Sequence, residues 1–391
     1  MGKITQVFAA DDALKAAGLQ RVAESETPQH AQLYNNPPLT RQSRPWHASV
    51  DGIHLALQVA FRNYPDLRAR LVAIQESAGH KGETHHKGIE HFQLGPYLVR
   101  VWPTGSRNGR SGPFFKFVVE YAGIVIMIQD RAAPKGDCPN VIVHIGGLVC
   151  LELGDLGALE LAYDIIRHLG GEIDHVALSR IDFCVDMPGV GMGEFMAATR
   201  EERFVTRGKY LRKIELFGST LEFGRKPLVL QVYDKLAEVR AKQNPRQRVL
   251  MLDRRWNGAM PAQAVRVEFR LGREKLKEFG IDTPEDFYRK RRTLVDYLCR
   301  DWFRFTAGPV DRLNTSRAIT LPLWTQVHEA FAPWAGQPNG EVLEPLPRGP
   351  VDVTGLLRSG YGLLRAIGRA QDRQAVEYDD YCAWVLEDGL V

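Results

Sequence analysis

Three short segments of this chain alternate charged and apolar residues with period 2: Arg180-Ile181-Asp182-Phe183-Cys184-Val185-Asp186, Val229-Leu230-Gln231-Val232-Tyr233-Asp234-Lys235 and Val265-Arg266-Val267-Glu268-Phe269-Arg270. In a strand, alternate side chains face opposite sides of the sheet. Ile181, Phe183 and Val185 therefore share one face, and Arg180, Asp182 and Asp186 share the other. By the same count Gln231, Tyr233 and Lys235 lie together, as do Arg266, Glu268 and Arg270. Set side by side, these strands gather carboxylates, a phenol, a lysine and several arginines on one sheet face. That composition suits a site and not a core.

Asp182 and Glu268 lie mid-strand with apolar neighbours on both sides, and two carboxylates left unpaired there would be costly. Two solutions are open. The carboxylates pair with Arg180 and Arg266, or they bind a divalent cation, since hard oxygen ligands on a rigid sheet suit Mg²⁺ or Mn²⁺. Tyr233 bears on the choice. A free phenol is ionised in roughly one molecule in a thousand at pH 7. A nearby Lys235 and a metal would favour the phenolate, and a phenolate can attack a phosphodiester and hold the product covalently. A half-buried packing role for Tyr233 is the alternative.

The elements that must position these residues follow from periodicity. Ordered structure is expected to begin near His47, with Ile53–Val59 as a first strand and a helix over 65–77. Strands are predicted at 97–102, 114–121, 124–129 and 141–145. A helix over 155–169 stops at Gly170-Gly171, and the strand 176–186 follows. A helix over 192–202, strands at 214–217 and 220–223, and a polar helix over 236–243 complete the middle. Thr283-Pro284-Glu285-Asp286 has the layout of a capped helix start, with Phe287, Leu294, Leu298 and Phe305 on one face of a long helix. Residues 321–334 are expected to pack on it. The four histidines 80, 85, 86 and 91 sit in a glycine-interrupted segment read as a polar loop. The chain thus divides into an N-terminal arm (1–46, with a helix over 11–23), an α+β domain (47–275), a helical region (276–336), and a linker and helical tail (337–391). In the tail, Arg358, Arg365, Arg369 and Arg373 share a helical face. Strands mixed with helices point to α+β architecture with antiparallel pairing. No GxxxxGK[ST] or GxGxxG segment supports a nucleotide-binding reading.

Composition is that of a water-soluble globular chain, 44% hydrophobic and 25% charged over 391 residues. No apolar run reaches the roughly 18 residues a spanning helix needs, and the N-terminus lacks a signal layout. The five cysteines are widely spaced without a CxxC pair, which predicts reduced thiols in a cytoplasm. The net charge of +4 is unevenly spread: residues 203–300 hold 24 Lys and Arg against 12 Asp and Glu. Such a basic middle points to a polyanion partner, or to a solvated lysine-rich surface.

Taken in order, Arg180-Ile-Asp-Phe-Cys-Val-Asp186, Thr220-Leu-Glu-Phe-Gly-Arg-Lys226, Val232-Tyr-Asp-Lys-Leu-Ala-Glu238 and Arg266-Val-Glu-Phe-Arg270 resemble the motifs of the replication initiation factor family. This family comprises rolling-circle initiators of plasmids and phages, with related conjugative relaxases. A glycine-containing segment, His144-Ile-Gly-Gly-Leu-Val-Cys150, is similar to a weaker upstream motif, and the likeness spans about 48–335. The resemblance implies a central antiparallel sheet of the rolling-circle nickase type with flanking helices, followed by a mainly helical C-terminal region. It implies that Tyr233 nicks one DNA strand and becomes 5′-phosphotyrosyl-linked, leaving a 3′-hydroxyl that primes synthesis. Asp182, Glu268 and Asp186 would be ligands of Mg²⁺ or Mn²⁺, and Lys235 would stabilise the phenolate or the scissile phosphate. Arg180, Arg225, Lys226, Arg266 and Arg270 would bind DNA. Origin DNA, a host helicase and a second copy of the chain are the implied partners, with no membrane. The chain has no His-x-His triplet, so the metal site is expected to be carboxylate-based, and Glu222 stands where family members often carry an aromatic residue. Docking to a specific sequence is assigned to 281–335 and the arginines around 289–292. A conjugative relaxase with the same chemistry is the close variant; a DNA-binding regulator without cutting activity, and a structural or interaction protein whose sheet-face charges are only salt bridges, are the competing classes.

Overall fold

A computed structural model describes residues 46–80, 90–109, 112–208, 211–215, 219–336 and 360–361. The helix expected over 11–23, most of the histidine segment, the linker after 336 and the tail arginines lie outside these residues. Along the chain, β1 (His47–Phe61) leads into α1 (Tyr64–His80), β2 (Glu90–Leu94) and β3 (Tyr97–Val101). The short pair β4 (Ser106–Arg107) and β5 (Phe114–Phe115) precedes β6 (Phe117–Tyr121), β7 (Ile124–Ile128) and β8 (Val141–Gly146). Helix α2 (Gly147–His168), β9 (Gly171–Pro188) and α3 (Gly193–Arg200) come next. Then follow β10 (Phe204–Thr206), β11 (Leu211–Glu215), β12 (Ser219–Arg225) and β13 (Leu228–Asp234). The last group is α4 (Lys235–Lys242), α5 (Pro245–Arg254), β14 (Ala264–Gly272), α6 (Arg273–Glu278), α7 (Pro284–Asp296), β15 (Phe303–Phe305) and α8 (Pro322–Ala335).

Eleven strands form one sheet in the order β11-β12-β13-β14-β9-β1-β8-β7-β6-β3-β2. Every pairing in it is antiparallel. Strand β1 occupies the middle, because it pairs with β8 on one side and with most of β9 on the other. Its alternation drives this: Ile53, Leu55, Leu57 and Val59 are buried on one face, while His54, Ala56 and Gln58 face away. Three register shifts let this long strand follow β9. Such bulges add local twist.

One apolar core lies between the inner face of the sheet and the helices. Leu55, Ile181, Phe183 and Phe269 share it with Ala158 and Ile165 of α2, Phe287 and Leu294 of α7, and Trp324 and Phe331 of α8. The segment predicted as a separate helical region therefore packs into the same body as the sheet. Helix α7 starts where its sequence says it should: Thr283 and Asp286 form a reciprocal capping box, with Pro284 in the first turn. Its end corrects the expectation. The apolar face does not run on as one α-helix to Phe305; a π-helical turn over Tyr297–Trp302 intervenes, and Phe305 lies in β15, paired with Phe204 of β10. A string of apolar residues reads alike as a helix stripe or a strand, and here the β10 partner decides. Helix α2 begins earlier than predicted, at Gly147, and is broken at Gly154, whose φ of 75° carries the kink. Among the described residues no helix is long and apolar enough to cross a membrane.

Candidate active site

Strands β13, β14 and β9 are consecutive neighbours, so the three alternating segments do meet. Register places Tyr233 opposite Arg266 and Gln231 opposite Glu268 on one side of β14. On its other side Arg266 faces Asp186, Glu268 faces Cys184 and Arg270 faces Asp182. Directly opposed residues share a face. Tyr233, Arg266, Glu268, Arg270, Asp182 and Asp186 therefore all lie on the face turned away from the main core.

A chain of close contacts joins them. Tyr233 Oη donates to Glu268 Oε2 at 2.9 Å. The other oxygen of Glu268 accepts from Arg270 Nε at 2.8 Å, and that same Nε lies 3.8 Å from Asp182 Oδ2. Asp182 is gripped by Arg180, with Nε–Oδ1 at 2.8 Å and Nη2–Oδ2 at 2.5 Å. Lys235 follows Tyr233 by two residues, at the first position of α4. Its buried ammonium pairs with Glu238 and lies 5.6 Å from the centroid of the Tyr233 ring. Asp234 holds this junction in shape, its Oδ1 capping α4 through the Ala237 amide at 2.8 Å.

The end of this face near Asp186 is closed over. Leu236, Val239, Met251 and Trp256 of α4, α5 and the loop after them pack with Ala264 of β14. Beneath them Arg266 is fully buried and bound to both oxygens of Asp186, at 2.7 and 2.8 Å, and to Asp51 at 2.6 Å. Burial opposes charge on Asp186, yet Arg266 and Arg255 hold its carboxyl below the usual range. Neither residue presents a free group to the solvent side of the face. Asp186 is the inner half of an ion pair, and the Arg266 guanidinium is committed within the fold.

Burial, and then the charge of Glu268, push the Tyr233 phenol well above its ordinary value. Lys235 does not offset this, because its charge is matched by Glu238. Asp182 is likewise pushed up, to about 6, by burial and by the neighbouring Glu268, against the pull of Arg180.

Other predicted groups fall elsewhere. Arg225 and Lys226 are exposed at the β12–β13 turn, at the opposite end of β13 from Tyr233, roughly 17 Å away at strand rise. The run at 289–292 has partners within the protein, with Arg289 the most exposed. Arg289 pairs with Asp286 and Arg292 with Asp296, while Lys290 donates to the Phe279 and Gly280 carbonyls. Arg291 donates to the Ala335 carbonyl and lies over the Tyr288 and Trp334 rings.

The same face carries His54, which escaped the sequence reading, and His144, which the upstream motif contained without a role. His54 of β1 stands opposite both Arg180 of β9 and His144 of β8, and the two imidazoles stack at 3.9 Å between centroids. Burial, then His144 and Arg180, lower His54 to about 3, so it stays neutral. The polar His54 in the alternation His54-Leu55-Ala56-Leu57 was the available signal, but its neighbours were unknown without the strand order.

In type, the Asp182 and Glu268 oxygens fit a hard divalent cation. In number they fall short of a cage: among the described residues no three His, Cys, Asp or Glu groups are placed to hold one. Mg²⁺ is commonly held by one or two carboxylates, with waters and substrate phosphates completing the shell. Asp182 and Glu268 suit that arrangement, while Asp186, bound to Arg266, does not join it.

No protein-family model matches this chain, and no curated protein matches it. Among solved structures it is similar to the rolling circle replication initiator protein from Geobacillus stearothermophilus, at 14% sequence identity and a TM-score of 0.41. The likeness covers 73% of this chain and 96% of that one.

Proposed function

We propose that this protein is a metal-dependent, tyrosine-using DNA nickase and strand transferase that initiates rolling-circle replication. The observation that carries this reading is the hydrogen bond from Tyr233 Oη to Glu268 Oε2, with Asp182 reached from Glu268 through Arg270. A phenol, its proton acceptor and a second carboxylate are thereby collected on a rigid three-strand platform.

In the proposed reaction the Tyr233 oxygen attacks the phosphorus of a phosphodiester. Its proton passes to Glu268, the group that already accepts it. The new bond joins the tyrosine oxygen to the 5′-phosphate, and the bond from phosphorus to the 3′-oxygen breaks. That oxygen takes up a proton to give a 3′-hydroxyl, from which a polymerase extends. A divalent cation at Asp182 and Glu268 would supply charge neutralisation at the phosphate. Arg180 and Arg270, on the solvent side of the same face, would bind the backbone.

The test is incubation of the protein with supercoiled DNA carrying its own origin, in Mn²⁺ or Mg²⁺. Nicked circles with a covalently attached protein are expected, and Tyr233→Phe should abolish both while still binding DNA. Binding without cutting by the wild type would instead identify a regulator.

A further inference from the structure

We infer that Arg180 and Arg270 are exchangeable counter-ions of the site: they neutralise Asp182 and Glu268 in the free protein and transfer to DNA phosphates on binding, so that DNA and a divalent cation enter together. The inference rests on the functional reading above.

Each oxygen of the carboxylate pair has a protein partner. Arg180 takes both oxygens of Asp182, at 2.8 and 2.5 Å. Arg270 takes Glu268 Oε1 at 2.8 Å and approaches Asp182 Oδ2 at 3.8 Å, while Tyr233 takes Glu268 Oε2 at 2.9 Å. The Arg270 guanidinium thus bridges the two carboxylates, the position a shared cation would need.

Charge counting shows why the two cannot coexist. Two carboxylates and two guanidinium groups sum to zero. Adding a divalent cation without moving an arginine leaves a surplus of two positive charges in a half-buried site, where repulsion is poorly screened. If both arginines swing onto phosphates, the cation and the two carboxylates again sum to zero. The phosphate oxygens then also complete a coordination shell that this face does not complete alone.

Exposure separates the arginines from the acids they hold. The Asp182 and Glu268 side chains are 10% and 3% exposed, whereas those of Arg180 and Arg270 are 33% and 37% exposed. The arginines therefore lie on the solvent side of the buried acids, with about a third of each side chain already exposed. Arg266, at 2%, has no such exposure. Because coupling between two ligands is reciprocal, the factor by which DNA tightens metal binding equals the factor by which metal tightens DNA binding.

Titration calorimetry of Mn²⁺ into the full-length protein tests this, alone and with a short oligothymidylate that carries no origin. The wild type should bind Mn²⁺ at least tenfold more tightly with the oligonucleotide. Arg270→Gln and, separately, Arg180→Gln should bind it at least tenfold more tightly than wild type without DNA, and should lose most of the oligonucleotide's effect. Asp182→Asn with Glu268→Gln should bind none. Equal wild-type affinity with and without oligonucleotide would overturn the inference, and that comparison needs no variant to fold. So would arginine variants that fold, by circular dichroism, yet bind Mn²⁺ no better than wild type. The nicking assay separates the two levels: cutting without coupling removes only the exchange, and coupling without a Tyr233 adduct removes only the nickase.

Discussion

Asp182 carries a charge in a place that disfavours it, and this has a measurable consequence for stability. Its carboxyl is pushed up from 3.8 to about 6 by burial and by Glu268. An acid whose folded pKa exceeds its unfolded one binds its proton more tightly when folded. Stability then falls as pH rises from about 4 through about 6, and above that the full cost applies, on the order of 3 kcal/mol. Asp182→Asn should therefore raise the urea midpoint at pH 7.5 while removing Mn²⁺ binding, and the gain should shrink toward pH 4. A variant less stable than wild type at pH 7.5 would contradict this. Arg266 has the opposite character. It lies buried between Asp186 and Asp51, and losing it would strand the buried Asp186. Arg266→Met should lower stability by roughly 3–5 kcal/mol, read from the same denaturation curves.

At the scale of elements, the junction between β13 and α4 sets where the phenol points. Asp234 ends the strand and caps the helix at once, so the side chain just before it is fixed by both. Asp234→Ala should cost about 1 kcal/mol in stability and should slow nicking more than it weakens DNA binding, as seen by comparing cleavage rates with gel-shift affinities. The three site strands were legible because apolar residues at every second position line one face of a strand but scatter around a helix. Thr283 and Pro284 announced α7 in the same way, through local chemistry. What could not be read was non-local. His54 and His144 join the face only because β1 lies between β9 and β8. Helix α5 also went unpredicted, its run Pro245-Arg-Gln-Arg-Val-Leu-Met-Leu offering a weak stripe of which Met251 alone is buried. The surroundings of the arginines at 225 and 289–292 were hidden for a related reason: charge in a sequence does not show which end of a strand it occupies or which carbonyl it meets.

Over the whole molecule, the cationic surplus of residues 203–300 is reduced by pairing with acids outside that range, since Arg246 pairs with Glu152 and Arg266 with Asp186 and Asp51. DNA affinity should accordingly depend on a limited set of phosphate contacts. With about four, binding to oligonucleotides should weaken by about 10²-fold between 50 and 200 mM salt. A filter-binding series would measure the slope, and a flat response would argue against a phosphate-led interface. The central position of β1 has another consequence. Its two neighbours, Val141–Gly146 and Gly171–Pro188, are made long after it. At ~5–20 residues per second of synthesis, the nascent chain carries this apolar ribbon for several seconds with both hydrogen-bonding edges unsatisfied. Truncated products that stop before residue 171 lack β9 and keep one edge of that sticky ribbon open permanently, so recombinant fragments cut there should collect in inclusion bodies, whereas chains running past α8 should stay in the supernatant.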